Sequence, residues 1–170
     1  MEHAVFSRIL VPVDFSSGSE RAWSLAQRLA RAVGADLVLM HVLSGEDLLR
    51  SLEPEERQAE ARHSHAAGEL NIRPQSEELD IHKTAQRWAE DQLEVWAAQA
   101  REAGLKVRWL LRSGVSRREI VAAVREEHAD LIVLATHGRG GIDRFLHGSV
   151  ADPVIRMAPC PVLAVRDPSR

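Results

Sequence analysis

The stretch that decides the fold is residues 130–166, DLIVLATHGRGGIDRFLHGSVADPVIRMAPCPVLAVR. Leu131–Ala135 is a short apolar run rich in branched side chains and without alternation, the pattern of a strand covered on both faces. A loop follows that carries Gly138, Gly140 and Gly141. Gly148 and Ser149 then open a helix, and after Pro159-Cys160-Pro161 a second covered strand runs over Val162–Val165. The order is strand, glycine loop, helix, strand. Glycines let backbone N–H groups crowd around one point, and a helix start adds unpaired N–H groups and partial positive charge, so the order suits an anion such as phosphate. The plainer reading is that the glycines turn the chain and Ser149 caps the helix, with Asp152 completing a capping box. With Ser149 as the cap, Pro153 is the fourth helical residue and removes the first intrahelical hydrogen bond. Neither the P-loop pattern G-x-x-x-x-G-K-[ST] nor the dinucleotide pattern G-x-G-x-x-G occurs in the chain.

The spacing of these residues resembles the nucleotide-binding motif of the universal stress protein family. The ATP-binding branch of that family has G-x-x-G, nine residues, then G-[ST]. Here the matching positions are Ala135, Gly138, Gly148 and Ser149, with alanine in place of the first glycine. The segment APCPVLAV also resembles the close of the family's sequences.

Working outward, the N-terminal third repeats the alternation. Residues 8–13, RILVPV, read as a covered strand ending at Asp14. Ser17 and Glu20 fit a capping box, and Ala22, Leu25, Ala26, Leu29, Ala30 and Val33 fall on one helical face before Gly34 ends the helix. Asp36–Leu43, DLVLMHVL, is the next covered strand. Strand, helix and strand make a right-handed βαβ unit. Asp14 then lies at the carboxyl end of a parallel strand, the edge where open α/β sheets hold ligands. Asp14 also suits a turn, where an aspartate bonds to its own loop.

Residues 44–82 are acid-rich and weakly periodic, with Pro54, Gly68 and Pro74, and form a long connection. His63 and His65 lie close in sequence without further ligands to complete a metal site, and read as solvated surface. Helical spacing returns over residues 83–103, with Ala85, Trp88, Ala89, Leu93, Trp96 and Ala100, and ends at Gly104. The tryptophans at this spacing read as core rather than as a surface for stacking bases. Residues 105–112, LKVRWLLR, alternate apolar and basic, as an edge strand does. Ser116 and Glu119 fit another capping box before a helix reaching about His128.

The count is five strands alternating with four helices: a single α/β domain, an open, doubly wound parallel sheet with helices on both faces. The family resemblance implies the strand order 3-2-1-4-5. It also implies that Pro12, Val13 and Asp14, with Val42 after His41, hold the adenosine half of ATP. Ala135, Gly138, Gly148, Ser149 and the Val150 amide would hold the phosphates. Arg139, one residue past Gly138, is either a charge-assisted partner for the terminal phosphate or a solvated loop residue. In relatives the last strand often pairs with that of a second subunit, which implies a homodimer through Val162–Val165.

Composition bounds the rest. The chain has 170 residues, 45% hydrophobic and 28% charged, enough for one domain with a real core. A net charge of −3 gives no basic field for nucleic acid. A single cysteine, Cys160, rules out an internal disulfide. No apolar run approaches the roughly 20 residues of a membrane span, and the N-terminus does not read as a signal peptide, so the expected location is cytoplasmic. No adequate catalytic set accompanies the glycine loop; His137 reads as structural, and Mg2+ would ride on the phosphates of ATP. The function expected is a nucleotide-dependent sensor or adaptor with at most slow ATP hydrolysis. The competing class is a stress-response dimer that binds no nucleotide and acts through protein–protein contacts. A receiver-like signalling domain lacks its required lysine after the last strand.

Overall fold

The computed structural model describes residues 5–44, 75–136 and 150–166. Among them the chain runs β1 (Arg8–Pro12), α1 (Ser17–Val33), β2 (Asp36–Leu43), α2 (Gln75–Glu102), β3 (Val107–Ser113), α3 (Ser116–Glu126), β4 (Leu131–Ala135), α4 (Ala151–Met157) and β5 (Val162–Val165). The strands form one sheet in the order β3-β2-β1-β4-β5, with every neighbouring pair parallel. This is the α/β architecture and the strand order that the sequence and its family resemblance imply.

The unalternating apolar runs have a direct cause. Successive strand residues point to opposite faces, and both faces are covered. Ile9, Val11, Leu37, Leu39, Leu131 and Val133 join one core with Ala22, Trp23, Ala26, Leu93 and Ala97 of α1 and α2. Leu10, Val38, Met40, Ile132 and Leu134 join a second core with Ile120, Val124 and Val154 of α3 and α4. The first two crossovers therefore cover one face and the last two the other. β3 lies at one edge and is mostly half-buried, as its alternating sequence requires. At the amino edge, the Asp130 carboxylate accepts from the Ser7 and Arg8 amides at 2.7 and 3.0 Å, fastening the start of β4 to the start of β1.

Helix starts differ from the sequence reading. α1 is capped by Ser16, not Ser17: the Ser16 hydroxyl accepts from the Ser19 N–H at 3.2 Å. α3 is capped by Val115 without a side-chain bond, which makes Ser116 its first helical residue instead of its cap. The Gly34 stop stands, with φ +76 in the left-handed region that glycine enters without a steric penalty. α2 starts at Gln75, eight residues before the expected 83, because the helix extends into the connection; the remainder of that connection, with His63 and His65, lies outside the described residues. β3 spans Val107–Ser113 rather than 105–112, set by its register with Leu37–Leu43. β1 ends at Pro12, although Val13 still donates to the Met40 carbonyl at 2.8 Å.

The helix after the glycine loop is also displaced. Its cap is Val150, with no side-chain cap bond, and Asp152 is its second helical residue; Ser149, the expected cap, lies outside the described residues. Asp152 accepts from Arg156 Nε at 3.1 Å. Pro153 becomes the third helical residue, and the first intrahelical bond runs from the Val154 N–H to the Val150 carbonyl at 3.1 Å. The first four N–H groups of a helix have no partner within it, so Pro153 deletes nothing. Pro153→Ala is therefore expected to lower stability by up to about 1 kcal/mol, through the freer unfolded chain. Urea unfolding checks this; a gain of stability would restore the reading of a proline that breaks the helix.

Candidate functional site

The crevice of the sheet lies where the strand order reverses, between β1 and β4. β1 pairs with β2 over five positions, through Pro12↔Met40. With β4 it pairs at only two, Ile9↔Leu131 and Leu10↔Ile132. The ladder between the two central strands thus stops short of their carboxyl ends, which is where ligands enter open α/β sheets.

β1 delivers Pro12, Val13 and Asp14 to this edge. The Asp14 carboxylate oxygen Oδ1 accepts from the Ser16 N–H at 3.0 Å and from the Ser16 hydroxyl at 2.5 Å. The Asp14 N–H faces the Ser19 hydroxyl at 3.4 Å. The turn role is thus present: Asp14 orients the residue that caps α1. Phe15 between them has φ +59, a conformation that costs a side chain about 1 kcal/mol. Its ring contacts hold it there, with centroids 4.8 Å from His41, 5.2 Å from Trp88 and 5.5 Å from Trp96.

β2 delivers His41 and Val42, which point to opposite faces. Val42 joins the α3/α4 core, where Val150 also packs. His41 lies against Phe15 on the other side, only 2% exposed, with Nδ1 2.7 Å from the Val13 carbonyl. A carbonyl can only accept, so the proton resides on Nδ1. β4 delivers Ala135, half-buried against the α1/α2 core, and then Thr136, whose N–H donates to the Val165 carbonyl at 3.0 Å. Of the sequence-predicted site residues, Pro12 ends β1 with Val13 and Asp14 following it, Val42 lies near the end of β2, Ala135 ends β4 and Val150 caps α4; Val42 and Val150 face the α3/α4 core and Val13 and Ala135 the α1/α2 core. Gly138, Arg139, Gly148 and Ser149 lie outside the described residues, as does His137.

The tryptophans divide in a way the helical spacing did not separate. Trp96 packs against the core. Trp88 is 43% exposed and lies at the rim, edge-on to Phe15, rather than in the core. Trp23, which the sequence reading did not place, is buried on α1. Trp109 on β3 donates to the Glu94 carboxylate at 2.7 Å, and this bond holds the Glu94 pKa below its ordinary value. The contacts of His41 and Phe15 behind Asp14 are likewise absent from the sequence reading. The only signal for His41 was its place beside Val42.

Far from this edge, Cys160 precedes β5. Burial, and then the negative charge of Asp130, push its thiol pKa up, which disfavours the reactive thiolate. No group of three or more His, Cys, Asp or Glu side chains suited to a metal ion occurs among the described residues. No described helix is long and apolar enough to cross a membrane.

Comparison with known proteins agrees along the whole chain. Universal stress protein MJ0531 of Methanocaldococcus jannaschii is 28% identical over 166 residues, covering 98% of this chain and 85% of that protein. Universal stress protein MJ0577 of the same organism is 25% identical over 162 residues, covering 95% and 96%. The solved structure of MJ0577 matches with a TM-score of 0.73 at 23% identity, over 95% of this chain and 96% of that one. A universal stress protein in complex with cAMP matches at 0.56 and 22% identity, over 95% and 97%. A family protein from Arabidopsis thaliana with AMP bound matches at 0.57 and 16%, over 94% and 91%. At these identities the structural likenesses establish the fold. The model of the Universal stress protein family matches residues 6–166, and the chain belongs to that family.

Proposed function

We propose that this protein binds ATP at the carboxyl edge of its sheet, in the crevice between β1 and β4, and acts in the stress response as a nucleotide-dependent sensor or adaptor. The observation that carries this reading is the early end of the β1–β4 ladder, two pairs long, beyond which β1 runs on to Asp14. Asp14 and Val42, with Pro12 and Val13, take the adenosine half. Ala135, Gly138, Gly148, Ser149 and the Val150 amide take the phosphates, and Arg139 meets the terminal one. A ribose hydroxyl is a donor that suits the Asp14 carboxylate. Mg2+ rides on the phosphates, which need no protein cage for it. The cAMP and AMP complexes of two proteins with this fold support an adenine nucleotide. The protein works in the cytoplasm, and catalysis beyond slow ATP turnover is not part of its role.

The test is direct. Protein purified without added nucleotide is denatured and any released small molecule identified by mass; the emptied protein is then titrated with ATP and Mg2+ by calorimetry. Stoichiometric adenine nucleotide or micromolar ATP affinity is the expected result. Absence of both overturns the reading.

A second reading rests on β5. It is an edge strand with Leu163 37% exposed, which suits pairing with β5 of a second copy to form a homodimer. If the titration is silent while sedimentation gives a dimer, this protein acts through protein–protein contacts without nucleotide.

A further inference from the structure

We infer that His41 is a positioning residue of the nucleotide site, holding the peptide plane between Val13 and Asp14 from behind. The inference rests on the ATP-binding reading for its function, but its geometry stands apart from any ligand. A peptide unit is planar, so the Val13 carbonyl and the Asp14 N–H point in opposite directions within one rigid plate. His41 Nδ1 grips the carbonyl end at 2.7 Å. The Ser19 hydroxyl faces the N–H end at 3.4 Å. One strand over and one helical turn on, two side chains thus fix the plate on which the Asp14 backbone hangs.

The next two residues complete the fixture. Phe15 sets its ring against the imidazole, 4.8 Å between centroids and tilted by 44°, and its left-handed backbone reverses the chain. That reversal brings Ser16 round to donate twice to the Asp14 carboxylate. Without the His41 bond, the buried Val13 carbonyl would lose its imidazole donor, and the plate could rotate. Rotation would carry the Asp14 carboxylate off its line to a ribose hydroxyl. A displacement on that scale is felt in affinity although His41 touches no ligand.

Three variants separate donation from packing. In His41→Asn the side-chain N–H occupies the place of Nδ1–H; in His41→Gln it lies one carbon too far; in His41→Leu there is none. All three lose the ring and are expected to lose comparable thermal stability. ATP affinity is expected to stay within about threefold of the parent in His41→Asn and to fall about tenfold or more in the other two, the scale of one lost buried hydrogen bond. Nitrogen-15 spectra of the parent protein are expected to report the Nδ1–H tautomer. Amide exchange at Asp14 is expected to accelerate in His41→Leu and not in His41→Asn. Equal affinity loss in all three variants, or an Nε2–H tautomer, overturns the inference. If the parent binds no ATP, the nucleotide reading fails by itself, and the tautomer and the Asp14 exchange rates still decide whether His41 holds the plate.

Discussion

Asp14→Leu is expected to abolish measurable ATP binding while leaving the proposed β5 dimer intact. The carboxylate is the one charged acceptor that β1 delivers to the crevice, and a hydrogen bond to a charged group contributes about 1.5–3 kcal/mol. Each 1.4 kcal/mol is about a factor of ten in affinity. Leucine removes that bond and puts an apolar branched chain at the rim. It also removes the acceptor for the Ser16 N–H and hydroxyl, so the start of α1 loosens. The accompanying loss of stability is about 1 kcal/mol, the scale of a helix cap, and small against the 5–15 kcal/mol of a typical domain. A bulky residue at the motif glycine, Gly148→Trp, is expected to act in the same way from the phosphate side. Calorimetry with ATP reads the binding, and sedimentation reads the dimer proposed at β5, a strand on the far side of β4 from β1. Unchanged affinity in both variants would remove the site from this edge.

Leu10→Ala is expected to be the most damaging change to stability, at about 2–5 kcal/mol. Leu10 is fully buried in the central strand, level with Val38 on β2 and Ile132 on β4. Close-packed neighbours on both sides cannot collapse far into the space left by the lost Cγ and two Cδ atoms, so a cavity remains. The denaturation midpoint should drop sharply with little change in slope. The contrasting control is Leu163→Ala on β5, where an exposed side chain is expected to matter by no more than about 0.5 kcal/mol in the monomer. A loss below 1 kcal/mol at Leu10 would contradict a core packed on both faces of the sheet.

The sequence announces this architecture through its strands. β4 begins and ends where its apolar run does, as a strand covered on both faces should; β2 keeps one buried polar residue, His41, bonded to the Val13 carbonyl, and β5, which reads as covered, leaves Leu163 exposed at the sheet edge. The order of the strands is not written in those runs, which say that a strand is central but not beside which other; the family resemblance supplied it. Helix caps were misread for a local reason. Ser16 and Ser17 stand side by side, and letters three residues apart suit the second better. The upstream Asp14 carboxylate takes hold of Ser16 and decides the matter. Trp88 shares the helical stripe of Ala85 and Ala89, but a stripe has margins, and spacing alone does not tell margin from centre. At the site, Asp14 was legible as the carboxylate at a strand end. The contacts of His41 and Phe15 were not, because the His41 bond to Val13, 28 residues away, and the His41–Phe15 ring contact exist only once β1 and β2 are in register.

The clasp between Asp130 and the amides of Ser7 and Arg8 has a consequence for the order of events during synthesis. β1 meets β2 within the first few dozen residues, so that side of the strand can be satisfied early. Its other side waits for residue 130, which at the usual pace of translation is on the order of ten seconds later. Through that interval the middle strand of the sheet carries an open edge. Nascent chains of this protein therefore depend on whatever shelters them at the ribosome, and crowding or heat at that moment threatens the unfinished chain before it threatens the finished one.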